Sequence, residues 1–331
     1  MSTASPSVLE TRASVLSALR DGRRFALVTH EHPDGDALGS LIAMQRILTT
    51  LGKDSVAFVD ASEFPLGYEY RWLDLDGISS QIPADLAQRT IIFLDCGNID
   101  RNPAEEFRRA DATILNIDHH HDNTRFGTVA HVVEEASCTA EIVWDLMRGL
   151  GVELTPVVAE ALYVGLVTDT GRFSYENTGP SAHMMAADLV AAGVDVALIY
   201  RRVYEGWPLP KLRLVALALS RAQMLAGGAL ALAQLSHGDF LSTGADDGYT
   251  EGIVDRLRAI EGSKVAALAR ELSDGSGRWK VSLRSSDGEV DVSMIAREGG
   301  GGGHKAAAGF TTEMPSDELP AFLEAQVLAQ L

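Results

Sequence analysis

The chain has 331 residues, more than one average domain needs, and its length therefore predicts two domains. Hydrophobic residues make up 46% and charged residues 22%, which is the composition of a globular protein. The formal net charge is −18 and no Lys/Arg-rich run is present, which argues against long DNA or RNA as a substrate. The net charge does not exclude small phosphorylated ligands, because bound divalent cations can dominate the electrostatic field of a binding site.

The cysteines and the apolar runs bear on localisation. Cys96 and Cys138 form no C-x-x-C pair, which fits a reducing cytoplasm. The N-terminal segment has no basic stretch followed by an apolar core, and no apolar run reaches about 18 residues. We therefore expect a cytoplasmic protein without membrane association.

Short apolar runs alternate with helical patterns along residues 1–205. The helical pattern at 7–21 ends at Gly22, and the pattern that follows the first apolar run ends at Gly52. Apolar runs of strand length lie at 25–30, 54–60, 90–96 and 112–120, and helical patterns lie at 7–21, 38–52, 137–150, 156–168 and 181–193. This alternation predicts an α/β domain with a mostly parallel sheet and helices on both faces.

The rest of the chain predicts a linker helix and a second, smaller domain. Residues 206–226 begin with two prolines and then become helical, so we expect an interdomain linker helix there. Residues 227–331 predict a mixed α/β unit, with strands in GALALAQLS, KVAALAREL and RWKVSLRSS and helices at 250–260, 290–298 and 316–330. We expect the active-site cleft between the two domains.

Residues of the kinds that bind metals are concentrated in four short segments, each next to an apolar run. They are HEHPDGDALGS with His30, Asp34 and Asp36, FLDCGN with Asp95, NIDHHHDN with Asp118, His119, His120 and His121, and VGLVTDTGRF with Asp169. Ligands of open α/β sheets bind at the carboxyl ends of the strands, so these groups could converge. Taken singly, each segment also has an ordinary explanation as a turn, a helix cap or a solvated loop.

The residue types predict which metals bind, and their number predicts how many. Carboxylates and imidazoles without thiolate favour Mn²⁺ or Mg²⁺, with Co²⁺ also open, over a closed zinc site. Four aspartates and at least two histidines exceed what one ion with open positions needs. Two ions about 3.5–4 Å apart can share a carboxylate and bind both the attacking and the leaving oxygen of a phosphoryl group. A water held between them is then the expected nucleophile.

In this order, the four segments resemble the motifs of the DHH phosphoesterase superfamily, which includes RecJ-type exonucleases, family II pyrophosphatases and short oligoribonucleases. The second domain adds GGGGGHKAAAGF at 299–310, similar to the GGGH motif of the DHH-associated domain. The resemblance covers almost the whole chain. It implies hydrolysis of dinucleotides and other short RNAs, of 3′-phosphoadenosine 5′-phosphate, and of cyclic di-AMP or its linear product pApA, without choosing among them.

The resemblance also assigns roles to individual residues. It places one ion at His30, Asp34 and Asp95 and the other at Asp36, Asp95, His119 and Asp169. Asp95 bridges the two ions, and His120 stabilises charge or transfers a proton at the scissile phosphate. Asp118 and Asn123 orient the histidines. His121 has no role in the family, and we expect it to be structural or solvated.

In the second domain, the resemblance implies a clamp for the terminal phosphate of the substrate. Its residues are Arg284, Gly301, Gly302, Gly303 and His304, with bare backbone N–H groups facing the anion. The alternatives are a flexible glycine linker and an ordinary exposed arginine. With the metals in one domain and the clamp in the other, the protein would measure substrate length.

Three other functions compete with this prediction. A RecJ-like single-strand exonuclease would need a basic, aromatic groove, and aromatic residues are only 6% of the chain. A family II pyrophosphatase would lack the glycine motif. A non-catalytic nucleotide-binding protein would be expected to have lost a metal ligand. A homodimer is compatible with the resemblance.

Overall fold

A computed structural model describes residues 7–331. The chain divides into two compact units, Met1–Gly206 and Trp207–Leu331, and each is built around its own sheet. Among the described residues, no single helix is both long and apolar enough to span a membrane. Pro180–Ala191 and Val196–Tyr204 meet those criteria only when joined, and the chain bends by 113° between them.

Unit 1 alternates strands and helices over most of its length. Its strands are β1 Arg24–Val28, β2 Asp54–Phe58, β3 Ile78–Ser79, β4 Thr90–Leu94, β5 Ile114–Asp118 and β6 Val129–Val132. Its helices are α1 Val8–Asp21, α2 Gly35–Thr50, α3 Glu105–Arg109, α4 Thr139–Leu150, α5 Pro156–Asp169, α6 Pro180–Ala191 and α7 Val196–Tyr204. Short 3-10 turns lie between β2 and α3.

The sheet of unit 1 is parallel throughout, in the order β3-β2-β1-β4-β5-β6. One face packs against α1, α2 and α4 to α7 in a large apolar core, and the other face packs against α3 and irregular segments. The central strands are buried on both faces, which explains their unbroken apolar sequences. The predicted fold class is confirmed here.

Unit 2 is a mixed α/β unit. Its strands are β7 Gln223–Leu225, β8 Leu230–Leu235, β9 Val265–Glu271, β10 Trp279–Ser285, β11 Gly302–Gly303 and β12 Ala307–Thr312. Its helices are α8 Leu209–Ser220, α9 His237–Thr243, α10 Ile253–Arg258, α11 Val292–Glu298 and α12 Leu319–Leu328. The strand order is β11-β12-β10-β9-β8-β7, with only β8 and β9 parallel.

The structure differs from the sequence-based interpretation at 206–226. This segment is not a free linker helix, because α8 packs Leu214, Val215 and Ala218 into a core with β8, β9, α9 and α10. Its last residues form the edge strand β7. The boundary between the units lies at Gly206 and Trp207.

Candidate metal centre

The order of the strands brings the four ligand-bearing segments together. Strands β1, β4 and β5 are adjacent and parallel, so their carboxyl ends lie at one edge of the sheet. His30 follows β1, Asp95 follows β4, and Asp118 ends β5. The fourth segment reaches this site from a helix. Asp169 ends helix α5, as the helical pattern at 156–168 predicts.

Asp34 and Asp36 lie at the start of α2 and have different partners. Asp34 is the N-cap of this helix, and its Oδ1 accepts hydrogen bonds from the backbone N–H of Asp36 and Ala37 at 3.0 and 3.1 Å. Asp36 is buried, and its two oxygens accept from the backbone N–H of Thr139 at 2.6 Å and Ala140 at 2.8 Å. The N-terminus of α4 therefore fixes Asp36 and favours its negative charge.

His30 is oriented by the main chain. Its Nδ1 lies 2.6 Å from the carbonyl oxygen of Glu31, which can only accept, so Nδ1 carries the proton. In the neutral ring Nε2 then carries the lone pair, whereas in the protonated ring it can donate to Oδ2 of Asp95, 3.5 Å away. This tautomer is the one that binds a metal through Nε2.

Asp95 is the central group of the cluster. Its side chain is buried, and its Oδ1 lies 3.7 Å from Nε2 of His119 and 3.7 Å from Nδ1 of His120. The hydroxyl of Thr139 donates to the same oxygen at 3.1 Å. The backbone of Asp95 is left-handed, with φ of 56°, a conformation that aspartate tolerates better than most residues.

Asp118 connects the histidine segment to its surroundings. It is fully buried, and its Oδ1 accepts from Nδ1 of His120 at 2.8 Å. Its Oδ2 accepts from Nδ2 of Asn123 at 2.6 Å. Asp118 and Asn123 thus set the orientation of the His120 ring, whereas His121 is exposed. Cys96 is buried, and its Sγ donates to the carbonyl oxygen of Asn98.

Three groups of side chains could each hold a metal ion. In each group the ligand atoms all lie within 4.8 Å of one another. The groups are His30, Asp34 and Asp95; Asp36, His119 and Asp169; and Asp95, His119 and His120. The first two correspond to the two predicted ion sites, and Asp95 Oδ1 lies 3.7 Å from a ligand of the second. These carboxylates and imidazoles form the hard, mixed O/N ligand set that suits Mn²⁺ or Mg²⁺.

The charges of the cluster also favour bound cations. Within residues 7–331, no Lys or Arg forms a salt bridge with Asp34, Asp36, Asp95 or Asp169. Burial and the charges of the neighbouring aspartates raise the pKa of Asp36 well above its usual range. Burial likewise raises the pKa of Asp169 to about 7, although His119 opposes the shift. Buried carboxylates that repel one another in this way are stabilised by divalent ions.

The pKa values of Asp95 and His120 shift in the opposite sense. Burial alone would raise the pKa of Asp95, but the hydrogen bond and charge of His30, with the charges of the other two histidines, lower it overall. Burial alone would lower the pKa of His120, but the hydrogen bond and charge of Asp118 raise it to about 9. The protonated form of His120 is therefore favoured near neutral pH in this arrangement.

Two residues at the centre were not identified from the sequence. Thr139 contacts both Asp36 and Asp95, and Asn177 donates from Nδ2 to Oδ2 of Asp169 at 3.3 Å and to the carbonyl oxygen of Ser137 at 2.7 Å. Both are polar residues in ordinary loops or helix starts. No spacing in the sequence relates them to the ligands, so only the fold reveals them.

In unit 2, the glycine run forms part of a β-hairpin. Gly302 and Gly303 form β11 and pair with Gly309 and Ala308 of β12. A Cβ on Gly301 would collide with the carbonyl oxygen of Gly309. The run is therefore not a flexible linker, and close backbone packing explains part of its glycine content.

The other predicted clamp residues lie near the same hairpin. His304 is exposed and begins the turn to β12, with its N–H donating to the carbonyl oxygen of Ala307 at 2.8 Å. Arg284 is half-buried on β10, directly opposite Ala307. Its Nε lies 3.9 Å from Oδ1 of Asp255, so the guanidinium is only loosely paired.

Comparisons with known proteins agree with this architecture. Residues 24–166 match the model of the DHH family, N-terminal domain, and residues 228–327 match the DHHA1 domain. The chain is 36% identical to the bifunctional oligoribonuclease and PAP phosphatase NrnA of Thermus thermophilus, over 86% of this chain and 83% of the relative. It is 25% identical to the Bacillus subtilis protein of the same name, over 86% and 88%.

Two further comparisons concern a longer relative and a solved structure. The cyclic-di-AMP phosphodiesterase GdpP of Geobacillus thermodenitrificans is 27% identical over 88% of this chain, which spans 46% of that protein. The crystal structure of an exopolyphosphatase-related protein from Bacteroides fragilis superimposes with a TM-score of 0.86 at 25% identity and covers 99% of this chain and 97% of that one. RecJ from Thermus thermophilus in complex with Mn²⁺ shares the fold at a TM-score of 0.54, 18% identity and coverage of 97% and 54%. The chain therefore belongs to the DHH family of phosphoesterases and carries a DHH domain followed by a DHHA1 domain.

Proposed function

We propose that this protein is a two-ion phosphoesterase that hydrolyses very short oligoribonucleotides and 3′-phosphoadenosine 5′-phosphate, with Mn²⁺ as the preferred metal. The observation that carries the proposal is the position of Asp95. Its Oδ2 faces His30 and its Oδ1 faces His119, so one carboxylate lies between two ligand groups. A carboxylate in this position can be shared by two ions about 3.5–4 Å apart that act on one phosphoryl group.

The carboxylates and imidazoles of the candidate centre suit a pair of divalent ions. His30, Asp34 and Asp95 would bind one, and Asp36, Asp95, His119 and Asp169 the other. When bound, the two ions would polarise the phosphoryl oxygens and make a water acidic enough to attack phosphorus.

The remaining residues prepare this chemistry. Thr139 and the N-terminus of α4 hold Asp36 and Asp95 in place before substrate arrives. Asp118 holds Nδ1 of His120, so the free Nε2 can donate a proton to a phosphoryl oxygen or to the leaving group. Such preorganised donors lower the barrier because they need not reorient during the reaction.

The substrate class rests on the relatives and on charge. Relatives named as oligoribonuclease and PAP phosphatase match over more than four fifths of this chain, and a cyclic-di-AMP phosphodiesterase also matches. A net charge of −18 disfavours long nucleic acid, which needs many phosphate contacts. We therefore place dinucleotides and adenine nucleotides first, and cyclic di-AMP or pApA second.

We also propose that unit 2 binds the end of the substrate away from the reacting phosphate. Arg284 would hold its terminal phosphate through its guanidinium, with the hairpin Gly301–His304 beside it on the same sheet. The N–H groups of Gly301 and His304 already donate to the carbonyl oxygens of Ala296 and Ala307. Arg284 has only a loose acidic partner, so it can take a phosphate without breaking a strong ion pair.

The compartment and the assembly are also part of the proposal. Buried free Cys96 and Cys138 fit the reducing cytoplasm, where short RNA and nucleotides are produced. A homodimer stays a prediction, which analytical ultracentrifugation of the purified protein tests.

A substrate panel tests the activity. We expect Mn²⁺-dependent hydrolysis of a 5′-phosphorylated dinucleotide and of 3′-phosphoadenosine 5′-phosphate, with far slower turnover of a 24-mer and of pyrophosphate. Cyclic di-AMP and pApA complete the panel. Asp95→Ala should abolish turnover of every substrate because both ions lose a ligand. Equal turnover of the 24-mer and the dinucleotide would contradict the preference for short substrates.

The phosphate clamp is tested separately. Arg284→Ala should raise KM for a 5′-phosphorylated dinucleotide about tenfold or more, since charge-assisted hydrogen bonds contribute about 1.5–3 kcal/mol. It should leave hydrolysis of a bis-aryl phosphate unchanged. Arg278→Ala is the matched control, because Arg278 lies on the same unit but pairs with Asp274 at 3.0 Å. Equal losses on both substrates would exclude a clamp.

A further inference from the structure

The turn that follows the metal ligand Asp169 has an unusual backbone. Gly171, Arg172 and Phe173 are consecutive left-handed residues, with φ of 53°, 63° and 63°. Residues with a Cβ disfavour this conformation, and it persists only where the surrounding structure holds it in place. The segment Gly171–Tyr175 is called the 171–175 turn below.

Several contacts hold the 171–175 turn rigidly. The carbonyl oxygen of Thr170 accepts from the backbone N–H of Ser174 and of Tyr175, each at 3.0 Å. The hydroxyl of Thr170 accepts from the N–H of Phe173 at 3.1 Å. The Phe173 ring is stacked on the ring of His183, with centroids 5.3 Å apart and planes inclined by 22°. The turn therefore presents its remaining side chains in fixed positions.

The side chain of Tyr175 is exposed, and its ring packs against Gly171. A Cβ placed on Gly171 would collide with the Tyr175 ring, so the ring lies directly against the bare backbone there. Gly171 is buried, yet Tyr175 is 51% exposed. One side of the ring thus rests on the protein and the other side is accessible, as in aromatic platforms that stack nucleobases.

Arg172 lies on the same turn and has no acidic partner among the described residues. Its guanidinium is exposed and lies over the ring of Tyr204, with Cζ 5.1 Å from the ring centroid. The Tyr204 hydroxyl donates to the carbonyl oxygen of Val167 at 2.8 Å, which fixes that ring. In a chain with a net charge of −18, a guanidinium supported by a neutral ring is free to bind an anion.

The 171–175 turn is directly connected to the candidate metal centre. Asn177 comes two residues after Tyr175, and its Nδ2 donates to Oδ2 of Asp169 at 3.3 Å. Thr170, which anchors the turn, is the residue after Asp169. The 171–175 turn therefore lies next to the candidate metal centre in the chain and is joined to it through Asn177.

We propose that the 171–175 turn is a nucleoside-binding subsite, in which Tyr175 stacks a nucleobase and Arg172 binds a phosphate of the same substrate. The inference rests on the proposed function and adds what that function does not supply, a contact to the base. Stacking accepts any base because each has a π-face, so the subsite distinguishes nucleotides from simple phosphate esters and not one base from another.

The experiment combines removal of the ring with removal of the base. KM is measured for a 5′-phosphorylated dinucleotide and for two abasic versions of it, each lacking one base but retaining every phosphate. Tyr175→Ala should raise KM for the full dinucleotide about 5- to 150-fold, the range that loss of one stacked base implies. For one abasic dinucleotide, KM should be the same in wild type and Tyr175→Ala. Tyr175→Phe, which keeps the ring, should remain within about threefold of wild type.

The outcomes separate the subsite from a structural role and from failure of the proposed function. Equal loss on the full dinucleotide and both abasic versions would mean that Tyr175 only supports the fold, and no loss on any would also overturn the subsite. If wild type hydrolysed no dinucleotide, the proposed function would fail. Calorimetry with AMP and ribose 5-phosphate in Mn²⁺ then decides the subsite alone. If the subsite exists, Tyr175→Ala weakens the binding of AMP and leaves the binding of ribose 5-phosphate unchanged.

Discussion

Thr139 offers a sharp test of how the candidate centre is held. It is fully buried at the start of α4, its hydroxyl donates to Oδ1 of Asp95 at 3.1 Å, and its backbone N–H donates to Asp36. Thr139→Val keeps the shape of the side chain and the backbone contact, and it removes only the hydroxyl. The variant therefore isolates one hydrogen bond to the central carboxylate.

The expected loss follows from the charge of the acceptor. A hydrogen bond to a charged group contributes about 1.5–3 kcal/mol, which corresponds to roughly a 10- to 150-fold change in an equilibrium constant. Groups that orient metal ligands typically change metal affinity or activity by about 10–100-fold. We therefore expect Thr139→Val to weaken Mn²⁺ binding and to lower kcat/KM, each by about 10–100-fold.

Isothermal titration with Mn²⁺, followed by kinetics on a dinucleotide, measures both quantities. Thr139→Ser restores the hydroxyl and should recover most of the affinity. Thr243→Val is the control for the chemical change itself, since the Thr243 hydroxyl in unit 2 donates to the carbonyl oxygen of Asp239 at 2.7 Å. Wild-type Mn²⁺ affinity in Thr139→Val would refute the role assigned to this hydrogen bond.

Two predictions concern stability. Burial lowers the pKa of His131 to about 4, so the unfolded chain takes up this proton first as the pH falls. The free energy of unfolding should therefore drop by up to about 3 kcal/mol between pH 6.5 and pH 4. In His131→Gln, denaturant titrations at a series of pH values should show an unfolding free energy without this part of the pH dependence. A Cβ on Gly301 would collide with backbone, so Gly301→Ala should destabilise unit 2 by about 1–3 kcal/mol. Gly302→Ala, with open space around it, should change unfolding little, and equal effects of the two would contradict the packing argument.

The sequence was most informative where a pattern had a single physical cause. Apolar runs such as Thr90–Leu94 are strands buried on both faces, and the polar residue that follows each central strand lies at the same edge of the sheet. For that reason the convergence of His30, Asp95 and Asp118 could be predicted before the fold was known.

Other features depend on tertiary contacts that no local pattern encodes. Residues 206–226 are helical as predicted over Leu209–Ser220, but apolar contacts with β8 and β9 make that helix part of unit 2. Asp169 ends a helix that the pattern at 156–168 predicts, but only the fold shows that this helix end lies 3.7 Å from His119. Thr139 and Asn177 are ordinary polar residues until the fold places them beside Asp36, Asp95 and Asp169.

The central claim is that residues far apart in the chain hold a pair of ions, with Asp95 between them. Anomalous diffraction at the manganese edge, from crystals grown with Mn²⁺, measures this directly. The account predicts two peaks about 3.5–4 Å apart, each bound by one oxygen of Asp95. A single peak, or two peaks that do not share Asp95, would contradict it.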